Sequence, residues 1–168
     1  MDARDRLFQQ AMADCGAGVT RVAGSYVRST AERDDLVQEI WLAVWRALPS
    51  FRGEASLKTF IFRIAHNRSV TELARRRTAH GGAGELETIE DNAPGPEQQL
   101  QDLRDAERLV RAVQQLPLGL RQTLTLRLEG LSYAEIAEVL GVSESNVAVR
   151  LNRARERLST RLGGGRGK

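Results

Sequence analysis

Apolar positions recur at helical spacing along most of this chain, and the clearest case is residues 132–158, SYAEIAEVLGVSESNVAVRLNRARERL. Tyr133, Ile136, Ala137 and Leu140 fall at i, i+3, i+4 and i+7, one buried stripe of a short helix. Ser132, with Glu135 three residues on, has the spacing of a capping box, and Gly141 suits the left-handed residue that closes a helix. Ser143 can then cap a second helix whose apolar seam is Val147, Leu151, Ala154 and Leu158. The opposite face carries Ser145, Asn146, Val149, Asn152 and Arg153, flanked by Arg150, Arg155 and Arg157. This pattern predicts a helix-turn-helix.

The same periodicity predicts further helices. Residues 4–14 place Leu7, Phe8, Ala11 and Met12 on one side, before Gly16 and Gly18 are expected to break the helix. Residues 19–29 present Val19, Val22, Ala23, Tyr26 and Val27. Residues 33–48 follow a polar turn, with Val37, Ile40, Trp41, Val44 and Leu48 inward and Leu36, Gln38, Glu39 and Leu42 toward other faces. Pro49 stops this helix and Gly53 loosens the turn after it. Residues 56–78 begin at a capping Ser56 and bury Phe60, Ile61, Ile64, Ala65 and Leu73, with a break expected at the polar run 66–69. Residues 100–116 turn Leu100, Leu103, Ala106, Leu109, Val110 and Val113 inward, and residues 119–129 use Leu120, Leu124 and Leu128. Between them, residues 81–99 replace periodicity with Gly, Pro and acid, the composition of a flexible linker.

The fold class expected is therefore all-α: two small helical domains, 1–80 and 100–160, joined by an acidic linker at 81–99 and followed by a short flexible tail, 161–168. Charge sharpens this division. The net charge is +3, yet residues 1–80 carry 13 basic and 9 acidic groups, residues 81–100 carry none and 5, and residues 131–168 carry 7 and 4. Two basic modules around an acidic strip suit a polyanion touched at two places. Of the 25 basic residues 23 are Arg, the side chain that grips phosphate or guanine bidentately.

Cys15 is the one cysteine and reads as a small apolar residue, so no disulfide framework is expected. His66 and His80 with that single cysteine make no metal set, and neither a metal nor a cofactor is expected. No apolar run approaches a membrane span or a secretory leader, so a soluble protein of the reducing cytoplasm without membrane insertion is expected.

A helix fits the DNA major groove, where its first residues reach base edges and arginines further along meet phosphates. The plainer alternative is a helical hairpin with a solvated basic face; the capped first helix, glycine turn and one-sided arginines favour DNA. In residues 56–78, Phe60 and Phe62 beside Arg63, Arg68, Arg75, Arg76 and Arg77 suit single-stranded nucleic acid. Composition alone favours a buried core of Phe60 and Phe62 with a charged outer face there.

Four stretches in order carry a family resemblance: DDLVQEIWLAVWRALPSFRG, FIFRIAHNRSVTELARRR, the acidic strip, and LPLGLRQTLTLRLEGLSYAEIAEVLGVSESNVAVRLNRARERL. Over about residues 19–160 the chain resembles the bacterial extracytoplasmic-function (ECF) sigma factors, which belong to the housekeeping-sigma superfamily. The resemblance implies sigma region 2 in the first domain and region 4 in the second. It implies a non-enzymatic subunit that binds core RNA polymerase and directs it to promoters. Asp35, Leu36, Gln38, Glu39 and Leu42 would dock on the clamp coiled-coil of the β′ subunit, and the second domain on the β flap. Asn67 would lie in a loop that captures a flipped base of the −10 element. Phe51 and Arg52 belong to the neighbouring SFRG segment, and Arg68, Arg75, Arg76 and Arg77 would contact the same DNA. Ser145, Asn146, Val149, Arg150, Asn152, Arg153 and Arg157 would read the −35 duplex. The acidic strip resembles the segment that threads through polymerase toward the RNA exit path, and an anti-sigma factor is an implied partner.

Two departures stand out. Where the family carries a basic residue followed by Ser, this chain has Ala148 and Val149. Either one −35 contact is absent or an apolar contact to a thymine methyl replaces it. The usual acidic, aromatic-rich opening of region 2 is replaced by QQAMADCGAGVTRVAGSYV. The competing reading is a helix-turn-helix repressor or activator that acts without polymerase, which needs neither the DLVQE helix nor the RIAHN segment. An enzyme built on Asp34, Asp35, Glu39 and His66 lacks any nucleophile–base motif, phosphate loop or metal-ligand spacing.

Overall fold

The computed structural model describes residues 1–79 and 101–163, the first three of the second block by backbone alone. The expected linker, Leu100, His80 and the last residues of the tail lie outside the described residues, as does the side chain of Leu103. Seven α-helices and no strand are found among the described residues: α1 (Ala3–Gly24), α2 (Thr30–Ala47), α3 (Leu57–Ala79), α4 (Gln101–Gln114), α5 (Leu118–Leu128), α6 (Tyr133–Leu140) and α7 (Glu144–Gly163).

The first helix departs from expectation. Gly16 and Gly18 do not break it, and one 22-residue helix replaces two shorter ones. An interior glycine costs about 1 kcal/mol against alanine. The Asp2–Asp5 capping box offsets part of that at the start, and the burial of Ala11, Cys15, Val19, Val22 and Ala23 along one face offsets the rest. Gly18 has a packing role: a Cβ there would come within 2.8 Å of Phe62 Cζ and 2.7 Å of Glu129 Oε2.

Helix α2 starts three residues early because Ser29 accepts from the Glu32 N–H and caps it. Its buried residues are Leu36, Ile40, Ala43 and Val44, an i, i+4, i+7, i+8 stripe, with Trp41 beside it. Leu36 is therefore a core residue at 2% exposure, which overturns its assignment to the docking face; Val37 is only half-buried. A short 3₁₀ turn, Leu48–Ser50, follows at Pro49.

Helix α3 runs unbroken through the polar run 66–69. Ser56 Oγ caps it by accepting from the Thr59 N–H at 3.1 Å. Ser69, fully buried, returns its hydroxyl proton to Ala65 O at 2.7 Å, so it is satisfied inside the helix. Ala65, Ser69 and Glu72 then continue the packed face at i, i+4 and i+7, and the polar residues that looked like a break are part of the seam.

In the second half, α4 is anchored by its end: Ala112 is buried, Val113 half-buried and Leu116 buried, whereas Ala106, Leu109 and Val110 are exposed, contrary to expectation. Helix α5 also differs. Leu128 is 72% exposed and Leu126 takes its place inside, because α5 packs against α6 and α7 on one side and α1 on another. Its buried set therefore runs Leu120, Gln122, Thr123, Leu124 and Leu126 rather than along one stripe.

Helices α1, α2 and α3 pack on one another, as do α5, α6 and α7, with α4 on α7. The two halves also meet, α3 on α6 and α1 on α5, and one cluster of buried apolar side chains runs through both. At the far side of α2, Phe8 meets Trp41 and Trp45 edge-on at 5.8 and 5.1 Å, and the Arg4 guanidinium lies 3.9 Å from the Trp45 ring while Nε donates to Trp45 O at 3.1 Å.

Candidate nucleic-acid interface

The helix-turn-helix is built as its pattern predicts. Ser132 Oγ accepts from the Glu135 N–H and Glu135 Oε1 from the Ser132 N–H, both at 3.1 Å. Gly141 closes α6 at φ 68°, a conformation strained for any L side chain. Ser143 Oγ accepts from the Asn146 N–H and opens α7. Val147, Leu151 and Ala154 are fully buried against the rest of the domain, with Leu158 half-buried. Ser145, Asn146, Val149, Asn152, Arg153 and Arg157 are all exposed on the other side. Arg150 is half-buried, its guanidinium lying over Gly119, where a Cβ would sit 3.4 Å from Nη1. Among the described residues Arg153, Arg155 and Arg157 have no ion-pair partner, so this face carries unspent positive charge.

The second group gathers on α3. Asn67 and Arg68 are exposed on the helix itself, so the expected loop around Asn67 does not exist. They border a groove of about 340 Å³ between α2 and α3, lined also by Ala43, Ala47, Ile64 and Thr71. Neither alanine was marked by the sequence; their small side chains leave the space. Phe51 is half-buried with its ring 5.0 Å from Phe60, and Arg52 is exposed beside it.

The basic end of α3 is not a free phosphate clamp. Arg75 grips Glu72 with Nε at 3.0 Å and Nη2 at 2.7 Å, while Arg76 reaches Glu72 at 2.8 Å and Glu32 at 2.6 Å. The Arg75 hydrogen bonds, and then Arg76, hold the Glu72 carboxyl down to about 2. Arg77 is exposed. On α2, Asp35, Gln38, Glu39 and Leu42 are exposed together, an acidic face with one apolar residue.

Sequence reasoning missed the seam between the halves. Arg21 grips Glu129 through two guanidinium nitrogens, one at 2.8 Å, and Lys58 donates to the Glu129 backbone oxygen. Thr59 Oγ1 donates to Glu135 Oε2 at 2.7 Å, which is the first cause of that carboxyl's lowered pKa. Arg63 Nη1 meets Glu138 Oε1 at 3.2 Å. Tyr26 and His66 share a 2.5 Å hydrogen bond, with Gln122 beside the phenol; burial pushes the Tyr26 pKa up and the His66 pKa down, so both stay neutral. No spacing rule links residues 40 or more positions apart, so these pairs gave no local signal.

A capped helix-turn-helix with an open cationic face, coupled to a helical bundle carrying an exposed acidic face, points to a transcription-type DNA-binding protein. The comparisons narrow that class. The sigma-70 region 2 family model matches residues 13–79 and the sigma-70 region 4 model matches residues 106–158. RNA polymerase sigma factor CnrH of Cupriavidus metallidurans is 33% identical over 166 residues, covering 94% of this chain and 87% of the relative. The ECF RNA polymerase sigma-E factor of Escherichia coli K12 is 32% identical over 154 residues, covering 86% and 80%. Among solved structures, CnrH in complex with the cytosolic domain of CnrY aligns with a TM-score of 0.69 at 27% identity, covering 96% of this chain and 90% of that one. The sigma factor RpoE of Bartonella quintana, bound to the anti-sigma factor NepR, aligns with a TM-score of 0.74 at 26% identity, covering 94% and 97%. The chain belongs to the ECF sigma factors of the sigma-70 family. Such proteins are transcription-initiation factors.

Proposed function

We propose that this alternative sigma factor divides its work between 1–80 and 100–160, joined by 81–99, and that each half reads one promoter element. The outer face of α7 reads the −35 duplex: Ser145, Asn146 and Val149 reach base edges, while Arg153 and Arg157 meet the backbone. Asn67 and Arg68, at the mouth of the α2–α3 groove, meet the melted −10 strand, with Arg52 and Arg77 on phosphates. A base leaving the stack costs a few kcal/mol, which a shaped polar site must return. Asp35, Gln38, Glu39 and Leu42 dock on the β′ clamp coiled-coil of core polymerase, and the second half on the β flap. An anti-sigma factor restrains the protein in the cytoplasm, as the RpoE–NepR complex suggests by likeness.

The observation that supports this reading best is the division of α7 into a fully buried seam and an exposed face whose arginines lack internal partners. The test is purification with core polymerase, then transcription in vitro from fragmented genomic DNA of the host. Core binding with discrete new start sites is expected. Dimeric binding to duplex DNA without core binding would replace this reading with a repressor. In the same assay, Asn67→Ala is expected to weaken open-complex formation more than core binding; equal losses would remove Asn67 from the −10 site.

A further inference from the structure

We propose that Arg4, at the start of α1, is a positioning residue for Phe51 and Arg52: it gives Trp45 O the hydrogen-bond donor that Pro49 withholds. Inside an α-helix each carbonyl accepts from the amide four residues on. Four residues after Trp45 stands Pro49, which has no N–H. The neighbouring carbonyls are served locally. Val44 O takes the Leu48 N–H, Ala47 O takes the Ser50 hydroxyl at 2.7 Å, and Leu48 O takes the Phe51 N–H at 3.0 Å. Trp45 O is served from another helix, 41 residues back in the chain, by Arg4 Nε at 3.1 Å and by Arg4 Nη2.

The arrangement suits a guanidinium. Two nitrogens of one planar fork meet one oxygen while the central carbon lies 3.9 Å from the centre of the Trp45 ring, a combination that the point charge of Lys does not reproduce. Arg4 has no ion-pair partner among the described residues, so no carboxylate competes for it. Phe8, one turn on, packs edge-on against Trp41 and Trp45 and sets the height at which α1 meets the end of α2. What depends on the bond is the exit of α2. A carbonyl left without a donor in the last turn gains by opening toward water. The 3₁₀ turn Leu48–Ser50 leads directly into Phe51, whose ring lies 5.0 Å from Phe60, and into exposed Arg52. Opening the turn moves Phe51 and Arg52 and leaves Asp35 and Gln38, nearer the start of α2, in place. On the sigma reading, on which this inference rests, that disturbs a contact to the melted −10 strand and spares the core-docking face.

The test compares Arg4→Ala, Arg4→Lys, Pro49→Ala and the double variant Arg4→Ala with Pro49→Ala, which returns a backbone N–H to Trp45 O, all in the full chain. Hydrogen exchange of the free protein reads the turn. Core affinity and open-complex formation by the holoenzyme, on a promoter found by transcription, read the consequence. Arg4→Ala is expected to speed exchange several-fold at residues 50–53 and to slow open-complex formation several-fold, with core affinity unchanged. Arg4→Lys should fall between Arg4→Ala and wild type, and Pro49→Ala alone should match wild type. The double variant should recover both readouts, a rescue that the loss of a merely stabilising contact does not allow. Wild-type exchange at residues 50–53 in Arg4→Ala, or a double variant no better than Arg4→Ala, would overturn the inference. Core affinity falling in step with open-complex formation would overturn it too. If Arg4→Ala does not fold, Arg4→Lys with and without Pro49→Ala decides in the same way. If wild type directs no transcription, the sigma reading fails, and exchange in the free protein still decides whether Arg4 holds the turn.

Discussion

Helices α3 and α7 both look like arginine-bearing DNA-binding helices in the sequence, and they are unlike in the structure. Helix α7 separates its functions by face: Val147, Leu151 and Ala154 go inside, and Arg153, Arg155 and Arg157 stand outside with no ion-pair partner among the described residues. Helix α3 mixes them. Arg63 is tied to Glu138, and Arg75 and Arg76 to Glu72, so the charge left to solvent is mainly Arg68 and Arg77. A run of arginines is therefore no measure of positive potential; internal carboxylates decide what remains for a polyanion.

Four substitutions would break or sharpen that contrast. The largest effect is expected from Arg153→Ala, which should weaken −35 duplex binding several-fold on matched and mismatched sequences alike and lower its salt slope by about 1, as the loss of a backbone contact does. Titration of matched and mismatched duplexes checks this, and an unchanged footprint would make α7 no better a DNA face than α3. Next comes the pair Arg77→Ala and Arg75→Ala in holoenzyme bound to promoter DNA. Arg77→Ala should reduce the salt slope of binding by about 1, and Arg75→Ala should change it much less, because Glu72 already holds that charge. Equal slopes would mean that DNA takes Arg75 from Glu72. The smallest effect belongs to Glu72→Gln, expected to cost about 0.5–1 kcal/mol of stability at neutral pH. The folded-state pKa of Glu72 is depressed to about 2 from 4.5, so its contribution is present above 4.5 and lost as pH falls toward 2. Denaturation from pH 6 to pH 2 should accordingly be flatter in Glu72→Gln than in wild type.

The second half was largely legible because its signals are local. The Ser132–Glu135 box, Gly141 and the Val147–Leu151–Ala154 seam lie within a few residues of each other, and the chemistry needs nothing else. The first half was misread where tertiary contact outweighed propensity. Gly18 looked like a helix breaker because the side chains crowding it, Phe62 and Glu129, lie far along the chain. Ser69 looked like part of a break because its partner, a carbonyl one turn back, is visible only once the helix forms. Leu36 was placed outside because Val37 fitted the same stripe nearly as well; the direction of α1 and α3 decides between them. Of the candidate site, the exposure of the α7 face and of Asp35, Gln38, Glu39 and Leu42 was legible in advance. The Ala43–Ala47 wall of the groove could not, since small residues carry meaning only opposite a neighbour.

The aromatic cluster on α2 has a practical consequence in spectroscopy. The chain has two tryptophans, and both belong to that helix, packed with Phe8. Indole emission therefore observes α1–α3 and is blind to events confined to α4–α7, while helical ellipticity observes both halves at once. Melting curves recorded by the two signals superimpose only if the halves denature cooperatively. The gap between the curves is a label-free gauge of how strongly one half of the molecule depends on the other.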